Sequence, residues 1–411
     1  MTFKDLDLNK PLLKAIDAAN YTVPTLIQEQ TIPLVLKKKD IIASAQTGTG
    51  KTAAFALPIL QLLFDKQDAP KKGKKIRALV ISPTRELAVQ IGKNFKAYST
   101  YTNLRPTVIF GGTGIEPQIE ILKKGVDIVI ATPGRLLDLH KQDLINLAHI
   151  EILVLDEADL MLDMGFIDDI KKIERLCPET KQSLLFSATM PYKVEQLASS
   201  ILKSPERIEV TPTSSPTKNV SQLLYYVPKR NKIELCLHLL RNTVKGNVLI
   251  FRRTKFGVDK LEQALSKNGY NVDRLHGDRS QSERQTALNK FKNGKVNILI
   301  ATDVAARGID INELDTVINF DLPNIPETYV HRIGRTGRAN HFGQSYSFCS
   351  ADEKSYVKKI QQLINVQIPI EEHHPYPLDP SAKPIVHKKK GSKYKKGRKG
   401  EGSKKKKKRW Y

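Results

Sequence analysis

Cysteine is scarce in this chain, since 411 residues contain only Cys177, Cys236 and Cys349. The three are far apart and no Cys-x-x-Cys spacing occurs, so the sequence favours neither a disulfide framework nor a zinc site. We interpret them as reduced thiols in or near the core. The domains must therefore be stable through their hydrophobic cores alone, and a chain of this length can build such cores.

Long apolar runs are also missing. No stretch approaches the ~18 consecutive apolar residues of a membrane span, and residues 1–7 lack the continuous apolar core of a targeting signal. Together with the unpaired cysteines, these absences predict a protein of the reducing cytoplasm without a membrane partner.

Negative charge is in deficit, because 43 Asp and Glu residues face 67 Lys and Arg residues and leave a formal net charge of +24. Residues 383–411 alone hold 15 of the basic residues and a single Glu. Such a segment repels itself and has little to bury, so we predict a disordered tail. It should bind polyanions with little sequence preference. A purely solubilising tail is the alternative, and acidic lipid is a weaker one, since no apolar face accompanies the lysines.

Short apolar segments alternate with helical ones along most of the chain, and polar or glycine residues follow each at once. These segments are 41–43, 78–81, 128–130, 152–155, 184–186, 248–251, 298–300 and 317–320. Apolar strands separated by helices indicate an α/β fold with parallel sheets covered on both faces. In such sheets, ligands bind at the carboxyl ends of the strands.

An internal repeat indicates two related domains. Residues 126–132 and 296–302 match at five of seven positions, 170 residues apart. Buried strands often share Val and Ile by chance, but burial does not require the common Ala-Thr ending. The stretch 203–218 between the copies is rich in Pro, Ser and Thr, which is typical of a linker. We predict a first domain at 1–207, a linker at 208–219, a second domain at 220–368 and the basic tail at 369–411.

A glycine-rich turn, AQTGTGKT at residues 45–52, follows the first apolar strand. In such a turn the backbone N–H groups point at phosphate oxygens, the Lys51 ammonium reaches the β- and γ-phosphates, and the Thr52 hydroxyl binds Mg²⁺. Ala45 stands where the general pattern has its first glycine. The strand before the turn and the helical spacing after it nevertheless favour a phosphate site.

An acidic pair follows the strand at 152–155. Asp156, at the end of a buried strand, is placed to hold the metal, and Glu157 beside it is placed to orient or deprotonate the attacking water. One chain therefore contains both halves of a nucleotide-hydrolysis site.

The second domain has no phosphate loop of its own but has Arg332, Arg335 and Arg338. Arginines three apart with intervening glycines suit bidentate phosphate contact better than a buried helix. We expect arginine fingers that act across a cleft, so that hydrolysis requires the two domains to close.

Seven segments resemble, in order and spacing, the DEAD-box ATP-dependent RNA helicases. They are 45–52, 83–87, 132–135, 156–159, 187–189, 301–310 and 331–338. The resemblance spans about residues 3 to 350 and looks most like the bacterial RhlE type. It implies two tandem RecA-like parallel-sheet domains flanking a cleft, ATP and Mg²⁺ as cofactors, and RNA as the partner.

The resemblance also implies roles for the matching residues. It assigns catalysis to Lys51, Asp156, Glu157, Arg335 and Arg338, and Mg²⁺ binding to Thr52 and Asp156. It assigns nucleotide contacts to Phe3 and Gln28 at the adenine, to Ala45, Gln46, Thr47, Gly48, Thr49, Gly50, Lys51 and Thr52 at the phosphates, and to Asp310 at the ribose. It assigns RNA contacts to Arg85, Gly112, Thr132, Arg135, Arg252, Gly277, Thr302 and Arg307. It assigns coupling between the two sites to Ser187, Thr189 and His331.

Asn20 and Leu26 depart from the family pattern, which usually has glycine and proline there, but the Gln28 amide that would read adenine is retained. His373 and His374 could suggest a metal site; we interpret them as part of a solvated linker instead.

The sequence thus predicts an RNA-stimulated ATPase that locally unwinds short RNA duplexes or remodels RNA–protein complexes, with a monomeric core. A DNA translocase shares the same two-domain engine and is one alternative. A catalytically idle RNA-binding scaffold is another, although it would be expected to lose Lys51, Glu157 or Arg335. Ribosomal precursors and the RNA degradation machinery are candidate partners, and ribosome assembly, RNA decay and cold adaptation fit equally well.

Overall fold

The structure is a computed structural model that describes residues 1–45, 48–65, 75–210, 219–306, 314–337, 342–379 and 381. Two parallel β-sheets, each covered by helices, lie one after the other in the chain. The predicted fold class is therefore confirmed. Most of the predicted linker, and residues 380 and 382–411 of the predicted tail, lie outside the described residues.

The first sheet has seven strands in the order β3-β4-β2-β5-β6-β1-β7. The strands are β1 (Ile41–Ser44), β2 (Ala78–Ile81), β3 (Pro106–Ile109), β4 (Ile128–Ala131), β5 (Ile152–Leu155), β6 (Gln182–Ser187) and β7 (Glu206–Glu209). A 3₁₀ turn at Phe3–Leu6 precedes the helices α1 (Lys10–Ala18), α2 (Leu26–Leu36), α3 (Lys51–Asp65), α4 (Arg85–Tyr98), α5 (Glu116–Lys123), α6 (Pro133–Lys141), α7 (Ala158–Asp163), α8 (Ile167–Leu176) and α9 (Tyr192–Ile201).

The second sheet has six strands in the order β10-β11-β9-β12-β13-β8. The strands are β8 (Val220–Tyr226), β9 (Val248–Phe251), β10 (Val272–Leu275), β11 (Ile298–Ala301), β12 (Thr316–Asn319) and β13 (Gly343–Cys349). The helices are α10 (Lys232–Asn242), α11 (Lys255–Lys267), α12 (Gln281–Lys292), α13 (Asp303–Ala306), α14 (Pro326–Ile333) and α15 (Lys354–Ile364), with 3₁₀ turns at Lys229–Asn231 and Ala351–Glu353. None of the helices in the described ranges is long and apolar enough to cross a membrane.

Burial on both faces explains why the central strands are continuously apolar. In β2, Ala78 and Val80 belong to one core cluster, whereas Leu79 and Ile81 belong to another. Successive side chains of a strand point to opposite faces, so both faces of the sheet must be covered by helices.

The apolar pattern of the sequence did not predict five of the strands, namely β3, β7, β8, β10 and β13. Four of them are the edge strands of the two sheets, and edge strands tolerate charged and polar residues that mask their apolar pattern. The sequences ERIE in β7 and VDRL in β10 illustrate this. Because β7 pairs with β1, the first two residues of the predicted linker are part of the first sheet.

The internal repeat occupies equivalent places in the two sheets. Strands β4 and β11, which contain its two copies, each lie second from one edge. The Thr132 backbone N–H donates to the Ile109 carbonyl at 3.0 Å, and the Thr302 N–H donates to the Leu275 carbonyl at 3.1 Å. Each repeat therefore ends in a threonine at the carboxyl edge, beside the end of an edge strand.

The segment after α15 corrects the predicted start of the tail. Ile370 forms a bridge with Leu224, and the Leu378 N–H donates to the Tyr226 carbonyl at 2.9 Å. The His374 ring lies 5.5 Å from the Tyr225 ring, edge to face. Residues 369–379 therefore line the free edge of β8 and are not a solvated linker, because the unpaired backbone groups of an edge strand accept such a partner.

Candidate functional site

The glycine-rich turn lies between β1 and α3, at the carboxyl end of the first sheet. Gly48 and Gly50 have positive φ values of 89° and 94°. A side chain at Gly50 would place its Cβ 2.4 Å from Gln28 Nε2, so both the backbone conformation and the close approach require glycine. Gln28 Nε2 donates to the Gly50 carbonyl at 3.2 Å, while its Oε1 accepts from the Thr25 N–H at 3.0 Å. The structure thus joins the predicted adenine-reading amide to the predicted phosphate loop.

A buried ion pair spans the candidate catalytic centre. Lys51 begins α3, Glu157 follows β5, and Nζ lies 2.8 Å from Oε1. Burial by itself would lower the pKa of the Lys51 ammonium, but the negative charges of Glu157 and Asp156 outweigh that effect and raise it. Lys51 is therefore a firmly charged cation in a water-poor site, as a phosphate-binding lysine needs to be.

Asp156 and Glu157 differ in their surroundings. Burial raises the pKa of Asp156 to about 7, and the neighbouring Glu157 charge adds to this while Lys51 opposes it. Glu157 has a left-handed backbone with φ 57°, which costs a non-glycine residue about 1 kcal/mol. The strained turn aims the Glu157 carboxylate back across the site towards Lys51.

A third carboxylate, Asp159, contacts three residues that were predicted to couple the two sites. Its Oδ2 accepts from the Thr189 N–H and hydroxyl at 3.0 and 2.9 Å, and its N–H donates to Ser187 Oγ at 3.2 Å. His331 Nε2, from the second domain, lies 4.0 Å from the same Oδ2. The sequence analysis gave Asp159 no role, although it closes the acidic motif that began with Asp156.

Arginines crowd the start of α4 in the first domain. The Arg85 guanidinium lies against Gly112, whose φ is +77° and where an added Cβ would collide with Arg85. Burial lowers the pKa of Arg85, and the positive charges of Arg284 and Arg135 lower it further. Arg135 also donates to the Thr113 carbonyl at 3.0 Å. The structure thus brings three of the predicted RNA contacts into one electropositive group.

The second domain presents Gly277 and Thr302 at the matching edge of its sheet, after β10 and β11. Arg252, another predicted RNA contact, points inward instead. Its Nε lies 3.1 Å from Asp321 Oδ2, and its guanidinium lies 4.1 Å from the centre of the Phe320 ring. Asp321 follows β12 and Arg252 follows β9, and these two strands are neighbours in the sheet. The pairing of Arg252 with Asp321 could therefore be predicted only from the strand order.

An ion pair between the two domains was not predicted. Arg284 Nη2 on α12 lies 3.0 Å from Glu86 Oε2 on α4, and Gln281 Nε2 donates to Glu86 Oε1 at 2.9 Å. Glu86 is 8% exposed. These residues are almost two hundred positions apart, and no short-range pattern in the sequence signals the contact.

Three predicted residues have surroundings that the sequence did not reveal. Arg332 is buried in α14 and forms a bidentate pair with Asp303, with distances of 2.6 and 2.8 Å. Its expected part in phosphate contact is therefore wrong, because its guanidinium is committed within the second domain. Arg335 is also buried, just after α14. Phe3 is buried and stacks on Tyr21 at 6.4 Å between ring centres.

The remaining predicted positions Gln46, Thr47, Arg307, Asp310 and Arg338 lie outside the described residues. The rest of the turn, including Ala45, Thr49 and Thr52, lies inside them.

The chain matches two known sequence families. Residues 25–197 match the family described as DEAD/DEAH box helicase. Residues 231–340 match the helicase conserved C-terminal domain. The first match lies in the part of the chain that forms the first sheet, and the second match lies in the part that forms the second sheet.

Curated relatives and solved structures agree with these matches. ATP-dependent RNA helicase CshA of Limosilactobacillus reuteri is 43% identical over 370 residues, which cover 90% of this chain and 73% of that protein. DEAD-box ATP-dependent RNA helicase CshA of Bacillus subtilis is 43% identical over 362 residues, which cover 88% and 72%. S. cerevisiae Dbp5 bound to RNA and ADP BeF3 superposes with a TM-score of 0.78 at 32% identity and covers 90% of this chain and 94% of its own. Mss116p bound to ssRNA and AMP-PNP gives a TM-score of 0.82 at 29% identity, with 91% and 80% covered.

Proposed function

Because this chain belongs to the DEAD-box ATP-dependent RNA helicases, it is an ATP-hydrolysing RNA helicase, and we propose how its own residues couple the two activities. The observation that supports the proposal is that the second domain contacts the first close to the Lys51–Glu157 pair and also at the start of α4. The contacts are those of His331 with Asp159 and of Arg284 with Glu86, respectively. The first domain provides the hydrolysis site. The second domain contacts both this site and the group of arginines, Arg85 and Arg135, near the start of α4. Local unwinding of short duplexes and remodelling of RNA–protein complexes follow from such closure.

Hydrolysis begins with a change of partner for Lys51. In the structure its ammonium pairs with Glu157. The β- and γ-phosphates of ATP offer Lys51 more negative charge than one carboxylate, so we propose that the ammonium moves to them. Glu157 then loses its partner and becomes free to accept a proton from the attacking water, or to orient it. Arg335 and Arg338 supply positive charge from the second domain as charge develops on the phosphate.

The donor set at the phosphate loop fits Mg²⁺. The Thr52 hydroxyl and the Asp156 carboxylate are hard oxygen ligands, and Mg²⁺ in such sites takes few protein ligands beside phosphates and water. When bound, the ion neutralises phosphate charge. Its own charge also favours the ionised form of Asp156, whose pKa burial otherwise raises to about 7.

RNA is held by its backbone through two equivalent devices, one in each domain. Thr132 with Gly112, and Thr302 with Gly277, lie at matching edges of the two sheets. Backbone N–H groups, hydroxyls and the guanidinium groups of Arg85 and Arg135 suit phosphate and 2′-OH groups, which gives binding of RNA without sequence preference. Arg307 and the inward-facing Arg252 stay predictions in this role.

Asp159 links the two sites. Its carboxylate binds Thr189, and its N–H binds Ser187, at the end of β6. His331 approaches the same carboxylate from the second domain. A shift of the second domain on hydrolysis would therefore change the contact between His331 and Asp159, which lies three residues from the metal ligand Asp156. It would also alter the hydrogen bonds of Asp159 to the loop after β6.

Finer aspects of function also stay proposals. We infer a bacterial cytoplasmic helicase with a monomeric core whose basic tail adds RNA affinity. The sequence favours the RhlE type, whereas the relatives described above are named CshA. Identification of the RNA substrates that the protein remodels would distinguish the two subtypes. Ribosomal precursors and the RNA degradation machinery are the candidate partners.

Steady-state ATPase activity tests the proposal most directly. Wild type is measured without nucleic acid, with single-stranded RNA and with DNA of matched sequence, beside Lys51→Ala. We expect strong stimulation by RNA alone and its loss in Lys51→Ala, since the ammonium no longer reaches the phosphates. Lys181→Ala is a matched control, because Lys181 also forms a 2.8 Å pair with a glutamate, Glu174, but far from the turn.

The result also separates the alternatives. Equal stimulation by DNA and RNA would favour a translocase. No stimulation by either would favour an RNA-binding scaffold and would contradict the proposed coupling.

A further inference from the structure

Three loops meet at one corner of the second domain. Residues 252–254 follow β9, Gly277 and Asp278 follow β10, and Thr302 follows β11. These strands are neighbours in the sheet, so their following loops share the same carboxyl edge. Lys255 Nζ lies 2.7 Å from Asp278 Oδ2 and ties the start of α11 to the loop that contains Gly277.

Phe256, the second residue of α11, is 76% exposed at this corner. Thr254 caps the helix by accepting from the Gly257 N–H at 3.1 Å. Gly257 leaves no room for a side chain, because an added Cβ would lie 2.6 Å from Arg252 Nη2. Val258 and Leu261 are fully buried against the core. The orientation of the helix is thus fixed, and it holds the Phe256 ring outward.

A single exposed phenylalanine is common on protein surfaces and needs no explanation by itself. The setting of Phe256 makes it unusual. The neighbouring Arg252 turns inward to Asp321. Phe256 is adjacent in the chain to Lys255 and three positions from Arg253, whose side chains are exposed and pair with Asp278 and Glu353 respectively. A ring next to cationic groups on a backbone-binding edge is the combination that binds single-stranded nucleic acid.

We propose that Phe256 is a base-stacking residue, which holds one nucleobase of a single-stranded RNA whose backbone passes Gly277 and Thr302. The inference rests on the proposed RNA path across the second domain. Every base has an aromatic face, so stacking adds affinity without requiring a particular sequence, although the larger purine ring overlaps more than a pyrimidine. Phe256 would therefore add a preference for purine-rich strands to an otherwise backbone-directed interface.

Fluorescence anisotropy of the full chain, with Mg²⁺ and a non-hydrolysable ATP analogue, tests this. The probes are oligoadenosine, oligouridine and a ribose-phosphate strand of equal length without bases. Phe256→Ala should bind oligoadenosine about tenfold more weakly and oligouridine somewhat more weakly. The baseless strand should bind the variant and wild type alike, and Phe256→Tyr should restore wild-type affinity.

Tyr192→Ala is the matched control, because Tyr192 is an aromatic residue of the same 76% exposure in the first domain. Its affinities should equal those of wild type. Unchanged affinity of Phe256→Ala for oligoadenosine would overturn the proposal and leave the ring to a protein partner. An equal loss on the baseless strand would also overturn it, since the effect would then not involve a base.

ATPase activity distinguishes this failure from failure of the proposed function. In Phe256→Ala, the oligoadenosine concentration that gives half-maximal ATPase stimulation should rise, because the variant binds that strand more weakly. If wild type itself were not stimulated by any RNA, the proposed function would fail, and the role of Phe256 with it.

Discussion

At the scale of single residues, charge placement decides the chemistry. Lys51 and Glu157 neutralise each other at 2.8 Å in a site from which most water is excluded. Breaking such a buried pair without a new partner costs about 3 kcal/mol or more. In the proposed mechanism ATP supplies that partner for Lys51, which would link nucleotide binding to release of the Glu157 carboxylate.

The first prediction concerns Glu157→Gln. Glutamine keeps the shape of the side chain but cannot accept a proton from water, so turnover should fall by about 100-fold or more. ATP and RNA should still bind, and the RNA complex should dissociate more slowly because hydrolysis no longer reopens the cleft. Single-turnover ATPase and RNA dissociation assays measure both.

Glu174→Gln provides the control, since Glu174 also accepts from a lysine at 2.8 Å but lies on α8. Normal turnover of Glu157→Gln would remove Glu157 from the mechanism.

The second prediction concerns the three cysteines, which are free and buried. Burial raises the pKa of each thiol, Cys177, Cys236 and Cys349, to about 12. Since the thiolate is the reactive form, the thiols of the native protein should react with a disulfide at pH 8 at least about 100-fold more slowly than those of the unfolded chain. Reaction with a chromogenic disulfide reagent, with and without denaturant, measures this. One thiol reacting at the unfolded rate in the native protein would contradict the burial.

At the scale of elements, the edges of the sheets need partners. Strand β8 closes one edge of the second sheet, and residues 369–379 occupy its free side. Tyr376 packs against the core on the β8 side, and Tyr225 contacts the His374 ring. The segment thus shields an edge that would otherwise be open to pairing with other chains.

The third prediction compares two truncations. Removing 367–411 exposes the β8 edge and should lower the free energy of unfolding by about 2–3 kcal/mol and promote aggregation. Removing only 382–411 leaves the segment in place, so stability should stay unchanged. That shorter truncation should weaken RNA binding and flatten its salt dependence, because many lysines are lost.

Denaturant unfolding and RNA binding at two salt concentrations measure both effects. Equal stability of the two truncated chains would show that the segment does not support the sheet. Unchanged RNA affinity after removal of 382–411 would reduce the tail to a solubilising segment.

At the scale of the whole molecule, Glu86 is one point at which side chains of the two domains meet. Glu86 on the first domain is shared by Arg284 and Gln281 of the second. Arg135 and Arg284 both lie close enough to Arg85 for their positive charges to lower the pKa of its guanidinium group. The three guanidinium groups have two carboxylate partners, Glu86 and Asp138, which leaves an excess of one positive charge and favours a phosphate at the junction. RNA and domain closure would therefore support each other.

The fourth prediction is a double-mutant cycle at this junction. Glu86→Ala and Arg284→Ala should each lower kcat/KM for RNA in the ATPase assay by about tenfold, and the double variant should be little worse than either. Arg207→Ala is the control, because it breaks an exposed ion pair with Glu195 inside the first domain. Additive losses in the double variant would show that the two side chains do not act together.

Much of this arrangement could be predicted because it depends on local patterns. The eight central apolar segments were found, since burial on both faces makes them continuous. Lys51, Asp156, Glu157 and Gln28 could be predicted as site residues because each lies in a short motif whose chemistry is readable, and the structure brings Lys51 to Glu157 and Gln28 to Gly50. Edge strands such as β7 and β10 were not predicted, because their polar residues interrupt the apolar pattern by which a strand is recognised. The segment at 369–379 was misread because its polar sequence resembles a linker, and only the open edge of β8 gives it a place.

The sequence by itself thus determined the fold class, the duplication of the domain and the position of the glycine-rich turn after the first strand, all of which follow from residues close together in the chain. Only the tertiary structure decided which side chains from distant segments meet. It paired Glu86 with Arg284, gave Asp159 its contacts with Thr189 and His331, and turned Arg252 and Arg332 inward to carboxylates. The physical reason is that a charged group takes whichever partner the packing of the sheets brings within reach, and strand order, not chain order, sets that reach.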